Sequence, residues 1–224
     1  MKSWKSWLDI GTTVMVLVAA SVVIWRNTAR GTTASAPPLP NGPIPLHGSP
    51  QAGATSAEIA IVEFTDFECP YCAKFNVELM PQLRSEFVDT GRVRVSFRHF
   101  PLAMHRQARL ASLAANCANG QGRFWEYQDL LFADQRRLGR EDLVEKAEQS
   151  GLKVPAFTTC LDSGDEAVAR DEALGKTLGV TGTPTFFVGR IRSDGQLDVV
   201  DRLTGARPYS EFKKSLESAL RRAK

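Results

Sequence analysis

Hydrophobic spacing changes several times along this sequence, and each change marks an element. Glu58–Phe64 (EIAIVEF) is a near-continuous apolar run, the pattern of a strand buried on both faces. Cys72–Val88 carries helical spacing with Pro81 inside it, which predicts a kink. Val93–Phe100 alternates as a strand does. A long block of helical pattern follows: Met104–Asn119 ending at Gly120, Phe124–Phe132, Arg140–Ser150 closed by Gly151, a helix opened by Pro155, and Gly164–Leu178. Thr185–Val188 and Gln196–Leu203 then flank Ser193-Asp194-Gly195, a hairpin signal. Ser210–Arg222 reads as a terminal helix with Ser210 as N-cap. The order β-α-β, helical block, β-β-α predicts an α/β sheet with an all-helical insertion at about 101–178, and there are no internal repeats.

The first 57 residues read differently. Ile10–Trp25 is 16 residues without a charge. As a helix it spans about 24 Å, and Leu8 with the reach of Asp9 and Arg26 toward headgroups brings it near the roughly 30 Å hydrocarbon core. Trp4, Trp7 and Trp25 suit the interfacial belts of a spanning helix. Residues 1–25 are therefore expected to be a signal-anchor. Cleavage at Ala34-Ser35-Ala36 is the rival reading, although Pro37 follows directly. Residues 26–57 hold six of the chain's 12 prolines and no periodic apolar pattern, so we expect a semi-rigid tether before a body at 58–224.

Charge narrows the function classes. The formal net charge is +3, and the first 57 residues contribute four bases against one acid. From Glu58 onward 24 Lys and Arg balance 24 Asp and Glu, which is no footprint for a nucleic-acid binder.

The chemistry gathers at Cys69-Pro70-Tyr71-Cys72, which follows a buried-type strand and opens a helix. Unpaired N–H groups at a helix start favour the thiolate of the first cysteine, and a two-residue spacer lets the second attack a mixed disulfide formed on the first. Cys69 is the expected nucleophile and Cys72 the resolving thiol. Half a zinc site would want a second ligand pair, which Cys117, Cys160 and the three histidines do not supply at matching spacing, so no metal is expected. Inert thiols are the other reading. Glu63 stands inside the apolar strand six residues before Cys69. Buried, it would have a raised pKa and could exchange protons with Cys72; at the strand end it would simply touch solvent. Asp66, Phe67 and Glu68 are expected at the surface without a catalytic role.

Gly179–Val188 (GVTGTPTFFV) sets Pro184 at the mouth of a strand. It is either an edge device or similar to the cis-proline loop of thioredoxin-fold proteins, which would put the Thr183 backbone beside Cys69 to pair with an extended substrate. Taken together, EFTDFECPYCAKF, RHFPL, NCANGQGRFWEYQDLLF, CLDSG and GVTGTPTFFVG resemble the DsbA-like thiol-disulfide oxidoreductases, in particular their membrane-anchored bacterial subgroup. The resemblance covers roughly Glu58–Lys224. It implies a thioredoxin fold with a helical insertion, Cys69 as nucleophile, Cys72 as resolving thiol, Glu63 as buried acid and Pro184 in cis after Thr183. The dipeptide Pro70-Tyr71 departs from the Pro-His of DsbA itself, so no histidine there stabilises the thiolate.

Stable disulfide chemistry belongs outside the cytoplasm, so the body is expected on the extracytoplasmic side of a single-pass anchor in the cell membrane. The leading expectation is a disulfide-donating oxidase for unfolded or reduced exported proteins, reoxidised by a quinone-linked membrane partner. It would need no cofactor beyond the Cys69–Cys72 redox pair. An isomerase or reductase fed by a membrane electron donor is an alternative, and so is a tethered protein binding a soft metal such as copper through the same thiols. The two remaining cysteines, Cys117 and Cys160, leave an even pair in an exported chain, which predicts a structural disulfide; two buried reduced thiols are the other reading.

Overall fold

The computed structural model describes residues 38–164 and 166–223, together with Met15 and Ser21. The expected anchor, residues 1–25, otherwise lies outside the described residues. Among the described residues no helix is long and apolar enough to cross a membrane. Met1–Pro37 and Pro38–Lys224 are separate units, and the second holds the fold.

Six strands form one sheet in the order β1-β6-β5-β3-β4-β2. They are β1 (Ile44–Pro45), β2 (Gln51–Ala52), β3 (Ile59–Thr65), β4 (Val93–His99), β5 (Thr185–Ile191) and β6 (Gln196–Thr204). The central strand β3 runs parallel to β4 and antiparallel to β5. All seven β3 residues are buried, as its unbroken apolar run requires. Ile59 and Ile61 pack with Phe75, Leu79 and Phe212 on one face; Ala60, Val62 and Phe64 pack with Leu178 and Phe187 on the other. By strand alternation Glu63 and Thr65 share the face of Ile59 and Ile61.

The tether is shorter than expected. Residues 44–52 belong to the sheet: β1 pairs with β6, β2 pairs with β4, and Ile44 and Leu46 are buried in the core. Each strand is two residues long and sits at a sheet edge, where proline is tolerated, so neither shows the period that marks a strand.

After Cys69 the chain runs helically from Pro70 to Val88 in four pieces: α1 (Pro70–Lys74), a π-helical segment (Phe75–Leu79), α2 (Met80–Leu83) and a second π-helical segment (Arg84–Val88). The irregularity expected at Pro81 is met by widening the turns on either side. Pro81 itself falls in the first turn of α2, where its missing N–H costs least.

The insertion contains α3 (Ala108–Gly120), α4 (Phe124–Ala133), α5 (Arg140–Gln149), α6 (Val154–Leu161) and α7 (Glu166–Thr177). Cys117 in α3 and Cys160 in α6 are joined by a disulfide with Cα atoms 5.8 Å apart. The insertion meets the sheet through a buried ion pair, Arg98 to Asp171 at 2.7 Å, and through Gly175, where an added Cβ would stand 2.6 Å from the Phe100 ring. Helix α3 starts at Ala108, not Met104, because the Glu68 carboxylate accepts the N–H groups of Gln107 (2.8 Å) and Ala108 (3.1 Å) and so fixes its first turn. The terminal helix α8 (Tyr209–Ala223) places Ser210 inside its first turn, not at the cap.

Candidate redox-active site

Cys69 is the N-cap of α1, in an extended conformation (φ −76°, ψ 121°), and Pro70 follows in the helix's first turn. The backbone N–H groups of Cys72 and Ala73 both close onto the Cys69 carbonyl at 3.1 Å. Cys72 is fully buried and Cys69 is 4% exposed, while Tyr71 between them is 63% exposed. Both cysteines are free thiols. The Cys69 Sγ lies 3.4 Å from the Thr183 carbonyl oxygen, across the loop that carries the cis Thr183–Pro184 bond. Thus 114 residues of separation collapse into one contact, made where β5 begins beside β3.

The two thiols are held at opposite ends of the scale. A hydrogen bond from Cys72 lowers Cys69 most; burial opposes it, and the Thr183 side chain and the N–H groups of Cys72 and Tyr71 add to the lowering, leaving it at about 5. Cys72 goes the other way. Burial raises it well above an ordinary thiol, and the Cys69 sulfur and the Glu63 charge raise it further. A pair split like this is a ready nucleophile backed by a thiol that stays protonated until needed.

Glu63 is 1% exposed behind the dithiol, and burial lifts its carboxyl to about 8 against the opposing hydrogen bonds of Asn76 and Thr65. Asn76 ties it to the Cys72 backbone: its Nδ2 donates to Glu63 Oε1 at 2.9 Å and to the Cys72 carbonyl at 3.0 Å. The other oxygen, Oε2, has no partner among the described residues. Asn76 also lines a cavity of about 170 Å³, together with Met80, Trp125, Gln128 and Asp129. Such a volume takes several waters, which need ~10–15 Å³ each.

The residues just before Cys69 are interior, contrary to the surface position expected for them. Asp66 and Phe67 are fully buried and Glu68 is half-buried. Phe67 packs against Phe132 (ring centroids 4.9 Å) and Phe97 (5.5 Å). Asp66 accepts the N–H groups of Glu68 and Leu102, each at 2.7 Å, and pairs with His105 Nδ1 at 2.8 Å. His105 is raised above the ordinary imidazole range: burial opposes this, and the Asp66 hydrogen bond and charge outweigh it, with smaller help from Glu68 and Cys69. The side chain of Gln135, from the loop after α4, donates to the carbonyls of Phe67 (2.8 Å) and Cys69 (2.9 Å).

Sequence reasoning named Cys69, Cys72, Glu63, Thr183 and Pro184, and the structure brings all five together. It did not name Asn76, Thr65, Asp66, His105 or Gln135. Asn76 had one readable signal, a polar residue four positions after Cys72 and so on the same helical face. Gln135 had none, since its partners are backbone atoms more than sixty residues away.

A family model described as Thioredoxin matches residues 46–203. The Disulfide bond formation protein D of Bacillus subtilis is 28% identical over 187 residues, 79% of either chain. A stretch of a protein named Na(+)/H(+) antiporter NhaA 3 from Salinispora tropica is 39% identical over 150 residues, 66% of this chain but 22% of that protein. This chain thus spans less than a quarter of the length of the antiporter relatives it matches. The structure of oxidised BdbD from Bacillus subtilis superposes with a TM-score of 0.72 at 25% identity, covering 83% of this chain and all of that one. With the family model spanning most of the folded unit, the chain belongs to the thioredoxin family and is DsbA-like in fold.

Proposed function

We propose that the Cys69–Cys72 pair is stored as a disulfide and donated to reduced, unfolded exported proteins. The observation that carries this reading is the split between the thiols, Cys69 lowered to about 5 and Cys72 raised. A thiolate stabilised at Cys69 makes the reduced form comfortable and the disulfide a good oxidant. A substrate thiolate attacks Cys69 Sγ, the Cys69–Cys72 bond breaks, and Cys72 leaves with the electron pair. Glu63, protonated at neutral pH with its carboxyl at about 8, gives Cys72 the proton it needs. A second substrate thiolate then attacks the substrate sulfur of the mixed disulfide, and Cys69 leaves as the stabilised thiolate. Exchange runs through sulfur and a proton alone, so the dithiol is the whole redox centre in this reading. The Thr183 backbone, beside Cys69 Sγ, offers the extended substrate a strand-like partner, with Pro184 shaping the loop.

The same proposal sets the domain outside the cytoplasm, where the Cys117–Cys160 bond persists, tethered by residues 1–25 within reach of a quinone-linked membrane oxidase. Trapping the thiols in intact cells with an alkylating reagent tests the direction. Oxidised Cys69 and Cys72 at steady state support the donor. A reduced pair means an isomerase or reductase fed by a membrane electron donor, and thiols protected by copper mean a metal carrier.

A further inference from the structure

The segment that carries Cys69 is held mainly by the helical insertion. Glu68 is spent on capping α3, and Asp66 grips the loop before that helix through Leu102 and His105. Asp66 also takes the Glu68 N–H, and the carboxylate hydrogen bonds of both acids go to residues other than the two cysteines. Gln135 is different, because its amide reaches the dithiol backbone directly. One Nε2 is shared between the carbonyls of Phe67 and Cys69, at 2.8 and 2.9 Å. The Cys69 carbonyl is also the acceptor that closes the first helical turn, taking the N–H groups of Cys72 and Ala73 at 3.1 Å each. Cys69 stays extended at the cap while Pro70 enters the helix, and in that posture its sulfur lies 3.4 Å from the Thr183 carbonyl oxygen.

We propose that Gln135 is a positioning residue for the Cys69 thiolate: its side-chain amide pins the Phe67 and Cys69 carbonyls and so keeps Cys69 extended at the cap, with its sulfur held beside the Thr183 loop. The inference rests on Cys69 being the reacting thiol and adds that the insertion sets the redox power of the dithiol. Gln135 touches neither sulfur nor substrate. It acts through the cap, by fixing the place of a charged sulfur whose hydrogen bonds depend steeply on direction. Without the amide the Phe67 carbonyl would turn to find water while the Cys69 carbonyl kept only its helical donors, and the extended cap would relax with them.

Gln135→Leu keeps the side-chain bulk and removes the donor. Its Cys69 thiol should titrate about one unit higher than in the unchanged protein, which is a tenfold weaker thiolate. At neutral pH Cys69 is ionised in both proteins, so the equilibrium constant for oxidising glutathione should fall by the same tenfold or so. The two readouts are tied: a shift in one without the other contradicts the mechanism. A residue that merely braces the fold would lower stability and leave both readouts in place, and that result overturns the proposal. Gln135→His, which can still donate, should recover most of the lost acidity; if the leucine variant does not fold, this variant and Gln135→Ala carry the same comparison. Neither measurement uses a substrate protein. An unchanged Gln135→Leu titration beside a low Cys69 in the parent sinks only this inference, whereas an ordinary Cys69 in the parent sinks the redox reading itself.

Discussion

Replacing Glu63 by Gln isolates what it costs to keep a carboxyl behind the dithiol. The folded protein holds this group at about 8 against the usual 4.5, and burial is the leading cause, with neither thiol contributing. A group raised in the folded state favours folding fully below its unfolded value and loses that contribution as pH climbs to its folded value. At about 1.4 kcal/mol per unit, the shift from 4.5 to about 8 amounts to roughly 5 kcal/mol, an upper figure because unfolded chains also shield their carboxyls somewhat. Glutamine is neutral at every pH and can still accept from Asn76. Urea unfolding should be measured on the oxidised protein, so that no dithiol titrates, with and without Glu63→Gln. The variant's stability relative to the parent should be near level at about pH 4, rise steadily through neutrality and flatten above about pH 8. A difference that does not change with pH would show that Glu63 ionises freely, and the proton-donor role would go with it. The same variant should also slow the departure of Cys72 from the Cys69–Cys72 disulfide when a substrate thiolate attacks Cys69 at neutral pH.

Three further outcomes follow from the geometry. Thiolate absorbance of the reduced protein should titrate with a midpoint near 5 that disappears in Cys69→Ser and not in Cys72→Ser; a midpoint at the ordinary thiol value would refute the cap argument. Tyr71→His, which adds an imidazolium in the exposed dipeptide, should lower that midpoint and make the dithiol more oxidising in a glutathione titration; no change would mean the dipeptide does not tune this site. Removing the structural disulfide with Cys117→Ser and Cys160→Ser opens a loop of 43 residues and should cost about 3–4 kcal/mol in urea unfolding, with the Cys69 midpoint unmoved; a loss of less than about 1 kcal/mol would contradict the chain-entropy account.

The elements that the sequence revealed are those whose apolar spacing is set by one dominant partner. Strand β3 reads as buried on both faces and is. The hairpin of β5 and β6 is announced by Ser193-Asp194-Gly195, with Gly195 at a positive φ of 76° that its turn requires. Strands β1 and β2 were hidden because two residues show no period, and prolines that argue for a tether are equally at home on a sheet edge. Asp66 and Phe67 were misplaced for another reason. A polar run before a helix normally means a loop in water, whereas here Asp66 satisfies backbone N–H groups of the segment around Leu102 and Phe67 fills an aromatic cluster with Phe97 and Phe132. The start of α3 was equally unreadable, since its cap comes from Glu68, some forty residues earlier. At the site, the chemistry-bearing residues were legible because cysteine pairs and a carboxylate in an apolar strand are rare. Asn76 showed only its spacing from Cys72, and Gln135 showed nothing, because an amide that serves the backbone looks like any other polar residue.

The central claim is that Cys69 attacks and Cys72 resolves, and trapping separates the two roles directly. Each cysteine is replaced by serine in turn, the variant is mixed with a reduced unfolded protein under mild oxidation, and the products are separated without reductant. Cys72→Ser, leaving the low-pKa sulfur beside Thr183 with no neighbouring thiol to release it, should accumulate a mixed disulfide through Cys69, while Cys69→Ser should form none and have no turnover. Full turnover in Cys72→Ser, or mixed disulfides formed through Cys72 in Cys69→Ser, would contradict the account.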